Sequence, residues 1–175
     1  MERFVIITGC SGGGKSTLLD ALAARGHHVV EEPGRRLMRE GLADPYRDLK
    51  GFAEAAIRMS LADRQRAATL SGWVFFDRGL IDAASALSDA GGPAAPETLK
   101  GQPRCHGTVF FAPPWQEIFT QDDERKHDFA SATGEAQRLR DLYLNLGYQL
   151  TDLPKVSVGE RAQWVLEQLG PPPDA

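Results

Sequence analysis

The chain has 175 residues and a formal net charge of −4, with 42% hydrophobic and 25% charged residues, which excludes disorder over most of its length. The acidic balance argues against nucleic acid as the partner. No uncharged apolar run reaches the ~18 residues of a membrane span and no signal-peptide pattern opens the chain, so a cytoplasmic protein with no membrane partner is expected.

The elements follow in chain order. Phe4–Thr8 is a short apolar run, the pattern of a strand covered on both faces. A glycine loop follows, and then Ser16–Arg25, whose Leu18, Leu19, Leu22 and Ala23 have helical spacing. His28–Glu31 is a second strand, stopped by Pro33-Gly34. Asp48–Leu70 reads as a long amphipathic helix, Trp73–Phe76 as a third strand and Ile81–Leu87 as a helix. Residues 91–107 predict a loop with a short helix, and Thr108–Phe111 a fourth strand ended by Pro113-Pro114. The polar stretch 121–128 is expected to be a mobile surface segment. Ala130–Leu146 is helical, Tyr148–Thr151 is the fifth strand and Val158–Leu169 the closing helix. Alternation of strands and helices predicts an α/β domain over residues 1–169 with a mainly parallel sheet, and residues 170–175 are expected to be a disordered tail. Cys10 and Cys105 are the only cysteines and the histidines lack ligand spacing, which excludes a disulfide framework and a zinc site.

Gly9-Cys10-Ser11-Gly12-Gly13-Gly14-Lys15-Ser16 satisfies G-x-x-x-x-G-K-[ST] between a strand and a helix. Such glycines let the backbone turn its N–H groups around an anion, and the helix N-terminus adds partial positive charge there. In this pattern Gly9, Ser11, Gly12, Gly13 and Gly14 form the cradle. Lys15 reaches the β- and γ-phosphates, the Ser16 hydroxyl holds Mg²⁺, and Thr17 touches the α-phosphate.

Phosphate loops serve kinases, GTPase switches and ATPases. The only asparagine is Asn145, so the Asn-Lys-x-Asp guanine signature of a GTPase is absent. The third strand ends Asp77-Arg78-Gly79 rather than in the adjacent carboxylates of a remodelling ATPase. One carboxylate there suits Mg²⁺ or its waters, and an arginine beside it can neutralise phosphoryl charge. Glu31-Glu32-Pro33 ends the second strand on the same sheet edge. Successive strand residues face opposite sides, so one of the two glutamates can enter the crevice and take a proton from an acceptor hydroxyl.

The Gly9–Ser16 loop, the Glu32-Pro33 step, the Asp77-Arg78-Gly79 step and a polar segment with Arg125 resemble P-loop nucleoside and nucleotide kinases, among them deoxynucleoside kinases and thymidylate kinase. More closely, Val30–Pro33, Phe76–Gly79, and Leu146–Tyr148 through Leu153-Pro154 into Glu160-Arg161-Ala162 resemble the AAA-type ATPase domain family related to ribosylnicotinamide kinase. The resemblance implies a three-layer fold with strand order 2-3-1-4-5, Glu32 as base, Asp77 as the Mg²⁺-side carboxylate, and Arg78 as a phosphate or acceptor contact. It also implies a lid at about 121–138 that brings Arg125 to the phosphates, with Lys126 and Arg138 behind it, and adenine packing at Pro154-Lys155-Val156. Glu32, Arg35, Arg36, Arg58 and Arg78 are candidate pocket residues, Arg35 and Arg36 being alternatively surface residues of a helix. The expected function is Mg²⁺-ATP-dependent phosphoryl transfer to a small hydroxyl-bearing, nucleoside- or nucleotide-like acceptor. The alternative is a regulatory ATPase acting on a macromolecular partner.

Overall fold

The computed structural model describes residues 1–119 and 128–173. Its elements are β1 (Phe4–Gly9), α1 (Lys15–Ala23), β2 (His28–Val30), α2 (Pro33–Arg39), α3 (Leu49–Ala67), β3 (Val74–Asp77), α4 (Leu80–Asp89), α5 (Ala95–Thr98), β4 (Thr108–Ala112), α6 (Phe129–Asn145), β5 (Gln149–Asp152) and α7 (Val158–Leu169). A single 3-10 turn, Gln116–Ile118, precedes α6. The strands form one parallel five-stranded sheet in the order β2-β3-β1-β4-β5, the expected kinase-type order.

Strand alternation divides the core between the two faces of the sheet. Val5, Ile7, Phe75 and Phe110 pack with Leu18 and Leu22 of α1 and with Ala162 and Val165 of α7. On the opposite face Ile6 and Val109 meet Ile81 and Tyr143, while Phe4, Val74 and Phe76 meet Ala67 of α3. β1 is buried at all six positions, as its unbroken apolar run requires. Burial of a side chain such as Phe75, fully removed from water, contributes about 1.5–3 kcal/mol.

The second strand departs from its expected character. β2 is the sheet edge, with His28 exposed and Val29 and Val30 only half-buried, and it ends before Glu31. Pro33 does more than stop it. Pro33 occupies the first turn of α2, where its missing N–H costs no hydrogen bond. The long third helix is held at its start by Asp48, whose carboxylate accepts from Gly51 N at 2.9 Å. Ser157 and Glu160 form a reciprocal capping box at the start of α7. Gly170, assigned to the tail, has its carbonyl held by Trp73 Nε1 at 3.0 Å. Among the described residues no helix is long and apolar enough to cross a membrane.

A polar contact ties the two layers near the sheet's carboxyl edge. Asp82 of α4 is buried and accepts from the hydroxyl of Thr8 on β1 and from Tyr143 of α6, the latter at 2.7 Å. Burial raises the pKa of Asp82, and Arg78 and the two hydroxyls oppose that rise. Tyr143→Phe should therefore cost about 1–3 kcal/mol in urea unfolding, because a buried carboxylate loses a donor that water cannot replace. A loss below about 0.5 kcal/mol would show that the contact contributes nothing.

Candidate active site

The register aligns Ile7 with Asp77 and Gly9 with Ala112, so the carboxyl ends of β1, β3 and β4 open on one edge. Gly9 ends β1 with φ +112°, and a Cβ there would stand 2.7 Å from the Ala112 nitrogen, so the chain must be glycine at this crossing. Cys10 N then donates to Ala112 O at 2.9 Å and Gly13 N to Cys10 O at 3.1 Å, which closes the loop on itself. Gly14, with φ +75°, turns the chain into α1.

A cleft of about 990 Å³ lies over this edge. Ser11, Gly12, Gly14, Lys15, Ser16 and Thr17 line it, while Gly13 packs behind them with its Cβ position 3.0 Å from the Ala112 Cβ. Lys15 is buried and its Nζ donates to Cys10 O at 2.8 Å and Gly9 O at 3.4 Å. Burial and the neighbouring Arg78 lower its pKa, while Asp77 and Glu32 oppose the change.

Asp77 ends β3 beneath the loop, and the cap of the next helix is Gly79 rather than this carboxylate. Ser16 Oγ donates to Asp77 Oδ2 at 3.3 Å. Asp77 Oδ1 is buried with no hydrogen-bond partner. Burial, and next the charge of Glu32, push the Asp77 pKa up to about 6. A hydroxyl and a carboxylate with one unspent oxygen, beside a phosphate cradle, fit Mg²⁺, which binds through one or two protein oxygens and completes its shell with water and phosphate. Among the described residues no cluster of three or more acidic, histidine or cysteine side chains offers an all-protein metal cage.

Arg78 takes a left-handed backbone, φ 58°, unusual for a residue with a Cβ and costing on the order of 1–3 kcal/mol. The charges around it overdetermine the position. Its guanidinium lies 2.7 Å from Glu135 of α6, 3.6 Å from Glu32 and 3.6 Å from Asp82, and Nη2 donates to Gly9 O at 3.3 Å. Burial alone would lower its pKa, but Glu135, Glu32 and Asp82 outweigh burial and raise it. Glu32 lines the cleft and pairs with Arg35 at 3.2 Å. Glu31 points to the surface, where Arg39 holds it, and the hydrogen bond from that arginine lowers its pKa.

Several expected residues lie elsewhere. Arg36, one step beyond Arg35 on α2, turns away from the cleft to the buried carboxylate of Asp63 on α3. Arg58 borders a separate surface hollow with Arg39 and Arg47. Arg138, assigned behind the lid arginine, is an exposed partner of Asp89 at 3.7 Å. Lys155 and Val156 line the cleft, whereas Pro154 does not. Arg125 and Lys126 lie outside the described residues, as do Asp174 and Ala175 of the tail.

The structure adds residues that the sequence did not single out as site groups. Glu135 and Asp82 line the cleft and compensate Arg78. Arg161 and Trp115 line it at the loop's other flank, the guanidinium carbon 5.6 Å from the indole centroid. The Ser157-x-x-Glu160 capping box was the available sequence signal for Arg161, since it fixes where the first turn of α7 starts.

The buried Asp77 carboxylate carries a stability consequence with a definite sign. A carboxyl titrating near 6 in the fold and near 3.8 in the unfolded chain weakens the fold above pH 6. That penalty, up to about 3 kcal/mol, is relieved as the pH falls from 6 toward 3.8. Asp77→Asn should raise the unfolding midpoint of the ligand-free protein at pH 8 and hardly change it at pH 4. Equal shifts at both pH values would contradict the burial penalty.

Residues 4–161 match the model of the family described as AAA domain. No curated protein matches the chain in sequence. Among solved structures, deoxyadenosine kinase from M. mycoides with bound dATP has a TM-score of 0.69 at 13% identity, over 95% of this chain and 98% of that one. The NadR protein in complex with NR has a TM-score of 0.73 at 18% identity, over 94% of this chain and 50% of that one, so this chain spans half its length. Shikimate kinase from Acinetobacter baumannii in complex with shikimate has a TM-score of 0.58 at 15% identity, over 95% of this chain and 92% of that one. The chain therefore belongs to the AAA domain family and shares its fold with P-loop kinases.

Proposed function

We propose that the protein is a Mg²⁺-ATP-dependent kinase that transfers the γ-phosphoryl group to a hydroxyl of a small nucleoside- or nucleotide-like molecule. The observation that carries this reading is the extent of the cleft. It runs past the phosphate loop into a second compartment between α2, α3 and α4, walled by Met38, Tyr46, Phe52, Ala53, Ala83 and Ala86, with Glu32 at the junction. An enzyme that only hydrolyses ATP needs no such compartment. The similar folds that hold dATP, shikimate and NR support a small-molecule acceptor.

The roles follow from position. The loop N–H groups and Lys15 hold the polyphosphate, and Lys15 exchanges its contacts with Cys10 O and Gly9 O for phosphate oxygens. Ser16 and Asp77 would hold Mg²⁺, which when bound would supply positive charge against the phosphate oxygens. Glu32 accepts the acceptor's hydroxyl proton as that oxygen bonds to the γ-phosphorus, and the bond from the γ-phosphorus to the bridging oxygen breaks to leave ADP. Arg78, fixed between Glu32 and Glu135, faces the charge that spreads over the transferring group.

Two variants test the reading. Lys15→Ala should retain the fold and lose measurable phosphoryl transfer; wild-type turnover in it would remove the phosphate loop from the mechanism. Glu32→Gln should bind an ATP analogue as wild type and lose acceptor phosphorylation by about 10²–10⁴-fold, the usual worth of a positioned base. Glu31→Gln serves as the control and should leave transfer unchanged. Should Glu32→Gln also leave transfer unchanged, the Glu-Pro step is not catalytic and a regulatory ATPase becomes the better account.

A further inference from the structure

The phosphate loop is fastened from one side by a side chain that no phosphate-loop motif contains. Arg161, in the first turn of α7, is 2% exposed. Its Nη2 donates to Gly13 O at 3.2 Å and its Nη1 lies 3.5 Å from Gly14 O. Its Nε is buried with no hydrogen-bond partner, so what the guanidinium gives, it gives to these carbonyls. The Trp115 ring beside it restricts where the guanidinium can go.

The planarity of the peptide bond turns these contacts into a statement about the opposite side of the loop. In a trans peptide the C=O of one residue and the N–H of the next point in opposite directions, and no cis bond occurs among the described residues. Holding Gly13 O directs the N–H of Gly14 away from Arg161. The Gly14 carbonyl also accepts from Leu18 N at 3.2 Å, the first bond of α1, so the helix itself fixes the Gly14–Lys15 plane. The Gly13–Gly14 plane, flanked by glycine on both sides, is the one left for Arg161 to fix. A fork with parallel donors suits two successive carbonyls, which a lysine ammonium matches less well.

We infer that Arg161 is the positioning residue of the phosphate loop, which by holding the Gly13 carbonyl aims the N–H of Gly14, beside the helix-fixed N–H of Lys15, at the phosphates of a nucleoside triphosphate. This rests on the nucleotide-binding part of the proposed function. Its benefit is pre-organisation: the N–H groups need no reorientation when the anion arrives. The effect should therefore follow the phosphates and spare the rest of the nucleotide.

Calorimetric titration of inorganic tripolyphosphate, a non-hydrolysable ATP analogue and adenosine into wild type, Arg161→Met and Arg161→Lys tests this. Arg161→Met keeps the bulk and removes the donors. It should bind tripolyphosphate and the analogue at least about tenfold more weakly, or 1.4 kcal/mol, and adenosine with wild-type affinity. Arg161→Lys, able to serve one carbonyl, should fall between. A loss that includes adenosine would assign Arg161 to the base through Trp115 and overturn the inference, and so would no loss at all. If Arg161→Met does not fold, Arg161→Lys carries the comparison. Wild type must also show amide shifts at Gly14 and Lys15 on adding tripolyphosphate, and their absence overturns the inference. A wild type that binds neither tripolyphosphate nor the analogue would sink the kinase reading itself, an outcome distinct from one confined to the variants.

Discussion

The structure depends on one electrostatic constraint: six charged groups are gathered at the carboxyl edge of the sheet and must compensate one another. Lys15, Asp77, Asp82 and Arg78 are taken almost wholly out of water, with Glu32 and Glu135 at the rim. An unpaired charge in such a place would be untenable, and removing one partner strands the others. Arg78 stands at the centre, facing carboxylates from α4, α6 and the N-cap of α2, and it keeps a left-handed backbone to do so. The raised Asp77 pKa and the lowered Lys15 pKa are the same constraint seen from two residues. Under the proposed function both would ease on entry of a polyphosphate and a divalent cation, each supplying the charge that one of these groups lacks.

The cleft divides this charge unequally. Toward the phosphate loop it is lined by backbone, Lys15, Ser16 and Arg161, the surface a polyphosphate requires. Toward α2 and α3 it is lined by Met38, Tyr46, Leu49 and Phe52, a largely apolar wall suited to the ring of a small organic molecule. Glu32 and Arg78 stand where the two surfaces meet. In the proposed reaction the acceptor hydroxyl and the γ-phosphate would come together there, with the carboxylate on one and the guanidinium on the other.

Local chemistry was legible in the sequence, and chemistry assembled across the fold was not. The loop from Gly9 to Ser16 declares itself because its function is written in contiguous backbone geometry. The parity rule for strand ends pointed to one of Glu31 and Glu32, and Glu32 alone lines the cleft, but β2 ends at Val30 and it is the position of Glu32 at the cap of α2 that places it there. Arg35 and Arg36 looked equivalent, yet successive positions on a helix differ by roughly 100°, and only Arg35 faces Glu32 while Arg36 faces Asp63. Glu135 and Arg161 reach the site from α6 and α7, more than fifty and more than a hundred residues from their partners. No local pattern marks an acid that neutralises Arg78, and for Arg161 the capping box of Ser157 and Glu160 tells where the first turn of α7 starts but not what its arginine holds. The edge position of β2 was likewise invisible, since its two valines look alike at an edge and in a core.

The most direct test of the account is a crystal structure with Mg²⁺ and a non-hydrolysable ATP analogue. The account predicts the β-phosphate inside the Gly12–Lys15 cradle, Mg²⁺ on the Ser16 and Asp77 side, and the γ-phosphate directed at the junction where Glu32 and Arg78 meet, with the compartment beside Phe52 left open for an acceptor. A polyphosphate lodged elsewhere, or an analogue whose base fills the compartment beside Phe52, would contradict it.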